Sequence, residues 1–420
     1  MYAARMKTKA ALAIFLVSFI PRIAFVTVRG IQRGGDTRDY LALAANIACC
    51  HEYSLSAAPP FAPTARRAPL YPVFIAVAGS PLKVVIAQVF IDGMVAVELL
   101  WLASLVVPLG WALAGAAMYV ATPAAIAASA TLLNETLFTF LVVSGVVMLV
   151  TERPFLAGIS LGLAILCRPI GLLLVVVFFL LVGRKIALMM MVTAAVVVSP
   201  WVVRSSLLAR HFVPVQQGAA RNWYLPTRWD WNQADEQKLW LEFAENDPCG
   251  KREEAALSLP EVAEAEHFCF EQALRNVKAN PKAYLRSRAT AFPHLMLSSF
   301  DVVTGINESF GQVLANGQWG RLAMKLSLLI VFSMVPLFFG LWTLPRALLH
   351  PVGRLCAYAW LSTAAVHLPM WIEYRFWLPV LPMLLVTAAM AGCQPRQRPH
   401  DRGWTGAESV GASHLRDTLS

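Results

Sequence analysis

The chain has 420 residues, 58% of them hydrophobic and only 14% charged, where an ordinary soluble domain has about 25% charged. That composition excludes a disordered chain and a single large soluble domain, and leaves an all-α polytopic membrane protein. The net charge of +10 would suggest nucleic acid for a soluble protein. In a membrane protein the same excess belongs to cytoplasmic loops and tails, so no nucleic-acid partner is expected.

About 20 apolar residues cross a bilayer as a helix. The first such run covers 10–28 and follows Arg5, Lys7 and Lys9, which places the N-terminus in the cytoplasm. A cleaved signal peptide is the alternative reading. Against it, no small-residue cleavage site precedes the polar stretch, and Pro21-Arg22 interrupts the run. Further spans are predicted at 81–106, 110–127, 131–150, 185–208, 322–344, 353–370 and 376–391. The stretch 155–183 is broken at Cys167-Arg168-Pro169 and reads as two short helices meeting at Arg168. These make ten crossings with both termini cytoplasmic. Arg184-Lys185, Arg346 to Arg354, and the tail residues Arg396, Arg398 and Arg402 then all lie inside, as the positive-inside rule requires.

Two polar segments fall outside, 29–68 and 209–285. The second holds 12 acidic residues against 9 basic ones, nearly half of the 25 acids in the chain, and reads as a small, solvated, mostly helical domain. The expected organisation is an N-terminal transmembrane module (1–208) carrying the first outer loop, an extracytoplasmic domain (209–285), a C-terminal transmembrane module (286–393) and a disordered cytoplasmic tail (394–420). Residues 292–320 fit a short span, a re-entrant piece or an interfacial loop. Cys249 and Cys269 both lie in the second outer segment, where a disulfide persists if formed. The seven cysteines show no CxxC or His-Cys spacing, so structural zinc is not expected.

Charges at a membrane edge are costly and are commonly functional, and several converge on the outer side. Asp36, Asp39 and Tyr40 share one face of a helix beginning after Gly34-Gly35. The plain reading makes Asp36 an N-cap and Asp39 a first-turn acid. Glu135 stands at the outer end of the fourth span, as a site carboxylate or as the partner of a buried hydroxyl. Arg168, beside the helix-ending Pro169, wants an anion: a lipid headgroup or a substrate phosphate. Glu373 and Arg375 flank Tyr374 and form either an internal ion pair or part of a phosphate site. Arg66, Arg67 and Tyr71 close the first loop, with aromatic-belt anchoring and contact with membrane lipids as the plain alternatives. Carboxylates act as bases and arginines bind phosphate, so the set suits chemistry on a lipid-linked phosphate.

At these residues the chain resembles the GT-C superfamily of membrane glycosyltransferases, in particular the bacterial branch related to protein O-mannosyltransferases and the aminoarabinose transferase of lipid A (glycosyltransferase family 39-like). The blocks occur in the family's order over most of 10–390. They are Gly35-Asp36 with Tyr40 and Ala44; Arg67-Ala68-Pro69-Leu70-Tyr71-Pro72; Asn134-Glu135-Thr136-Leu137-Phe138; Ala157-Gly158 through Gly162-Leu163-Ala164 to Arg168-Pro169; Pro200-Trp201 with Arg204; Asn280-Pro281 with Tyr284-Leu285; and Tyr374-Arg375 with Pro379 and Pro382. Ser205 departs from the pattern, which usually has Asn there.

The resemblance implies a bundle of about ten transmembrane helices in the plasma membrane, a small extracytoplasmic helical domain and an extracytoplasmic active site. It implies a polyprenyl-phosphate monosaccharide as donor and a lipid, glycan or protein as acceptor. Asp36 and Glu135 are the catalytic candidates, Asp36 as general base in an inverting displacement. Asp39, Tyr40, Arg67, Tyr71, Arg168, Arg204, Glu373 and Arg375 are the substrate-binding candidates. A divalent metal is compatible with this scheme and not required by it. A transporter or flippase of lipid-linked sugars, or a non-catalytic scaffold, are the rival readings; an ion-coupled transporter would place acids near the midplane and show repeat symmetry.

Overall fold

The computed structural model describes residues 2–228, 242–256, 258–296, 304–306 and 310–392. The expected tail 394–420 lies outside the described residues, as does most of 297–309. Among the described residues the chain is helical with no strand, only the isolated bridges Gln32 to Thr131 and Ser54 to Pro63.

Helix α1 (Tyr2–Arg29) runs without a break through Pro21. Helices α2 (Thr37–Cys50) and α3 (Leu70–Ala78) build the first polar loop. Then follow α4 (Pro81–Val106), α5 (Leu109–Ala121), α6 (Pro123–Ala130), α7 (Glu135–Val150), α8 (Pro154–Cys167), α9 (Gly171–Leu181) and α10 (Arg184–Ala209). The polar segment forms α11 (Ala220–Tyr224), α12 (Pro248–Ala255), α13 (Leu259–Ala279) and α14 (Pro281–Ala291). The C-terminal part holds α15 (Trp319–Leu349, with a π-turn at Ile330–Met334), α16 (Pro351–His367) and α17 (Leu381–Ala389).

Of the ten crossings expected from the sequence, the two short helices meeting at Arg168 are present as α8 and α9. Among the described residues, five helices are long and apolar enough to cross a membrane: Thr8–Arg29, Pro81–Val106, Arg184–Ala209, Trp319–Leu349 and Tyr374–Gly392. A sixth candidate, α5 with α6, bends by 51°, because Pro123 supplies no amide to the preceding turn. The fourth expected span starts only at Glu135, and α7, α8 and α9 are apolar but short. Tyr374–Gly392 opens as two 3₁₀ turns, Tyr374–Phe376 and Leu378–Val380, before α17.

Leu12, Leu16, Ile20 and Ile23 on α1, and Ile330, Phe338, Leu341 and Trp342 on α15, are exposed. Such faces suit acyl chains rather than water. Between helices the contacts are close. A side chain at Gly158 of α8 would lie 2.5 Å from the Met190 carbonyl oxygen of α10, so only glycine lets the two backbones approach.

Arg22, which interrupts the apolar run of the first span, is fully buried within α1. Its guanidinium pairs with Asp92 of α4 and donates to the carbonyls of Ser18 and Val120, both at 3.0 Å. The Tyr119 hydroxyl donates to the other Asp92 oxygen at 2.6 Å. The cluster ties α1, α4 and α5 together. Removing one partner leaves a buried charge alone, which costs about 3–5 kcal/mol. Asp92→Ala is therefore expected to lower the unfolding temperature of the detergent-solubilised protein sharply, and an unchanged transition would refute this account.

In the polar segment, Tyr224, Leu225, Phe243, Cys249, Cys269 and Ala273 pack with Trp371 into a small core of their own. Cys249 and Cys269 are joined by a disulfide, their Cα atoms 5.3 Å apart. Asn280 accepts from the Ala283 amide and Pro281 occupies the first turn of α14, so the Asn-Pro block is a helix start.

Candidate functional site

The first loop is pinned to the entrance of α7. The Gln32 amide donates to Ala130 O (2.9 Å) and the Leu132 amide to Gln32 O (3.1 Å). Thr37 Oγ1 donates to Leu132 O at 3.0 Å and accepts from the Gly34 amide at 2.9 Å. A side chain at Gly34 would come within 2.6 Å of Leu133 Cδ1, so the Leu133 side chain would have to shift to admit one. These bonds hold the start of α2 beside the start of α7.

Asp36 stands at the N-cap position of α2, yet its side chain makes no capping bond. Both of its oxygens are taken by arginines instead. Arg67 Nη2 lies 2.8 Å from Oδ1, and Arg375 Nη1 donates to Oδ2 at 2.9 Å. Each arginine has a second carboxylate. Arg67 donates through Nε (2.9 Å) and Nη2 (2.7 Å) to Asp39 Oδ2, and Arg375 pairs with Glu373. Burial alone would raise the Asp36 carboxyl, but Arg67 and Arg375, with smaller contributions from Arg221 and Arg168, hold it well below the usual carboxylate range.

Glu135 and Arg168 meet because α7 and α8 are laced at this end. Asn134 Nδ2 donates to Cys167 O at 2.9 Å, and Cys167 Sγ lies 3.7 Å from Asn134 O. Arg168 Nη1 then donates to Glu135 Oε1 at 3.1 Å. The second oxygen of Glu135 is buried with no hydrogen-bond partner. Arg168 and Arg375 both lie over the Phe376 ring, at 5.5 and 5.4 Å. One end of the bundle thus gathers Asp36, Asp39, Glu135 and Glu373 with Arg67, Arg168 and Arg375, with Arg67 over the Tyr40 ring at 5.8 Å. Among the described residues no three His, Cys, Asp or Glu side chains form a metal-binding group.

Two expected site residues stand elsewhere. Tyr71 is completely enclosed behind Tyr40, their rings 4.9 Å apart, and its hydroxyl donates to Gln88 at 2.7 Å. It offers no face to a sugar or a prenyl chain. Arg204 donates to Thr64 O at 3.0 Å and lies over the rings of Tyr53 and Trp201, so it secures the loop rather than the carboxylate cluster. Gln88, which receives Tyr71 and donates to the carbonyls of Ser129 and Thr131, carried no signal in the sequence beyond being an amide in an apolar run. Arg221 acts on Asp36 from the polar helical unit and belongs to none of the blocks. Trp371 also joins that unit to the site: its amide donates to Asn222 O (2.7 Å) and its indole to Glu373 (3.0 Å).

A cavity of about 780 Å³ opens between α2 and the polar helical unit. Arg38, Asp39 and Arg67 line one side, and Gln217, Arg221 and Glu253 the other. Arg66 bridges the two by donating to the carbonyls of Glu253 and Ala256. Burial pushes the Glu253 carboxyl up from an ordinary value near 4.5 to about 7, against the pull of Arg221 and Arg66 and with a further push from Glu266 and Glu254. The folded state therefore favours its neutral form. Stability from this group is full below about pH 4.5 and is lost as pH rises through about 7. Glu253→Gln is expected to flatten the dependence of unfolding temperature on pH between these limits. An identical slope in parent and variant would exclude Glu253 as its source.

No family model and no curated protein sequence matches the chain. Among solved structures it is similar to the oligosaccharyltransferase of Archaeoglobus fulgidus. The structure tethered to an acceptor peptide containing the NVT sequon superposes with a TM-score of 0.50, and the apo form with 0.51, each at 11% identity over 91% of this chain. The chain shares the fold of that enzyme. It spans about half the length of those proteins, 49% and 50%. An all-α fold with several helices apolar enough for a membrane is therefore the architecture.

Proposed function

We propose that the chain is an integral membrane glycosyltransferase, carrying a monosaccharide from a polyprenyl-phosphate donor to a lipid, glycan or protein acceptor on the extracytoplasmic face. The observation that carries this reading is the meeting of Asp36 with Arg67 and Arg375, beside Glu135 and Arg168, at one end of a bundle with an oligosaccharyltransferase fold.

The arginines serve the donor phosphate. A phosphate arriving at Arg375 competes with Asp36 for the guanidinium, and Glu373 keeps that side chain in place during the exchange. Freed of one arginine, Asp36 becomes a stronger base and takes the proton of the acceptor hydroxyl. The acceptor oxygen forms its bond to the anomeric carbon as the bond from that carbon to the phosphate oxygen breaks. The electron pair leaves on the polyprenyl phosphate, whose growing charge Arg375 and Arg168 stabilise, and the anomeric centre inverts. Glu135 aligns Arg168 and offers its free oxygen to a sugar hydroxyl. A divalent ion at Asp36 would have to displace Arg67 or Arg375.

The test is a reconstituted membrane preparation given labelled polyprenyl-phosphate sugar and a membrane extract as the acceptor source. A new glycosidic bond on a lipid, glycan or protein is expected. Movement of label across sealed vesicles without a new bond would establish a flippase instead.

A further inference from the structure

The cavity between α2 and the polar helical unit has a chemical bias that its charge count conceals. Its lining includes Arg38, Arg66, Arg67 and Arg221 against Asp39, Glu253 and Glu254, which at first suggests an anion site. Most of that positive charge is already engaged. Arg67 is held by Asp36 and Asp39, Arg66 by two carbonyls of the polar unit, and Arg221 lies 3.8 Å from Glu253.

The unsatisfied groups are acceptors. Glu253 is only 7% exposed, and its Oε1 has no hydrogen-bond partner. Gln217 is 3% exposed. Its Nε2 donates to Leu259 O at 3.1 Å and meets His211, which fixes the amide orientation and leaves Oε1 without a partner. Two buried acceptors lining one cavity each carry a desolvation cost until something donates to them.

A ligand that satisfies both must be rich in donors and need not be anionic, which describes vicinal hydroxyls. A peptide brings a carbonyl for every amide, and the engaged arginines leave few donors for those carbonyls. Half-buried Ala42 and Leu55 supply apolar surface beside the polar pair, as a pyranose ring requires. The volume lies within the about 300–1,000 Å³ usual for small-ligand sites.

We propose that this cavity binds the polyhydroxyl end of a saccharide acceptor, with Gln217 and the ionised Glu253 accepting hydrogen bonds from its hydroxyls. Its place in the reaction rests on the transferase reading above: Asp39 and Arg67 are common to the cavity wall and to the Asp36 cluster, so a saccharide held here lies next to the base. The specificity for a glycan over a peptide then comes from residues of the polar helical unit and not from the carboxylate cluster.

Calorimetric titration of the full chain in nanodiscs tests this without any transfer reaction. The probes are maltotriose, mannotriose and chitotriose, and Ser/Thr-containing hexapeptides as rivals. At least one trisaccharide is expected to bind, and Glu253→Ala and Gln217→Met each to weaken it about tenfold, the effect of one lost hydrogen bond to a buried group. Gln217→Met keeps the side-chain volume and so guards against misfolding of the other variant. Failure of all three trisaccharides to bind the parent protein, or equal affinity in parent and both variants, would overturn the proposal. So would binding of the hexapeptides that weakens in the variants in place of the sugars. Saccharide binding without any transfer activity would instead refute the transferase reading and leave the cavity assignment standing.

Discussion

Asp36→Asn is expected to insert and fold as the parent does and to lose transfer by about 10²–10⁴-fold, the usual contribution of a general base. The substitution keeps the shape of the side chain, and the amide oxygen still accepts from one of Arg67 and Arg375, while its NH2 cannot accept from the other. It removes the site for the proton and also removes the competitor for the arginines. The loss should therefore fall on kcat, while the KM for the polyprenyl-phosphate donor holds or falls. Kinetics with labelled donor, alongside a thermal-unfolding control, separate the two effects. Full activity in a normally inserted variant would end the assignment of Asp36 as base. A rise in donor KM at constant kcat would make Asp36 a binding group only.

Arg375→Ala is the second large effect. Loss of one preorganised charge at a leaving group commonly costs about 10²–10³ in rate. Here the same change leaves Glu373 with the Trp371 indole but no cation, and Asp36 with Arg67 alone. Donor KM should rise and kcat should fall together. Arg375→Lys should recover only part of the rate, because an ammonium cannot span Asp36 and Glu373 as the planar guanidinium does. Unchanged constants in the alanine variant would remove Arg375 from the phosphate site.

How much of this was legible in the sequence varies with the range of the interaction. The all-α membrane class followed from composition, because bilayer thickness fixes the length of apolar runs. Asp36, Glu135, Arg168 and Arg375 stood out because a charge beside an apolar run is costly. Their pairings were not legible. Asp36 and Arg375 are 339 residues apart, and nothing local in either block says that they touch. Tyr71 and Arg204 also lie in family-like blocks, yet one is sealed behind Tyr40 and the other holds the loop. A motif marks a residue that the fold depends on, whether or not a substrate meets it. Arg22 was read as an interruption because hydropathy prices a charge singly, and its partner Asp92 lies on another helix. Glu253 and Gln217 carried no pattern, since an orphaned acceptor exists only once the surroundings are built.

The strand of chain from Pro369 to Arg375 is gripped from both sides. Tyr284 donates to the carbonyl of Pro369, Arg288 to that of Met370, and the Trp371 amide to that of Asn222, while Arg375 reaches Asp36. The polar segment is therefore not a cassette that can be exchanged at its two ends. A chimera that replaces 209–285 with a foreign domain would strip the segment bearing Arg375 of two anchors, Tyr284 and Asn222, and a functional graft would have to carry 369–375 along with it.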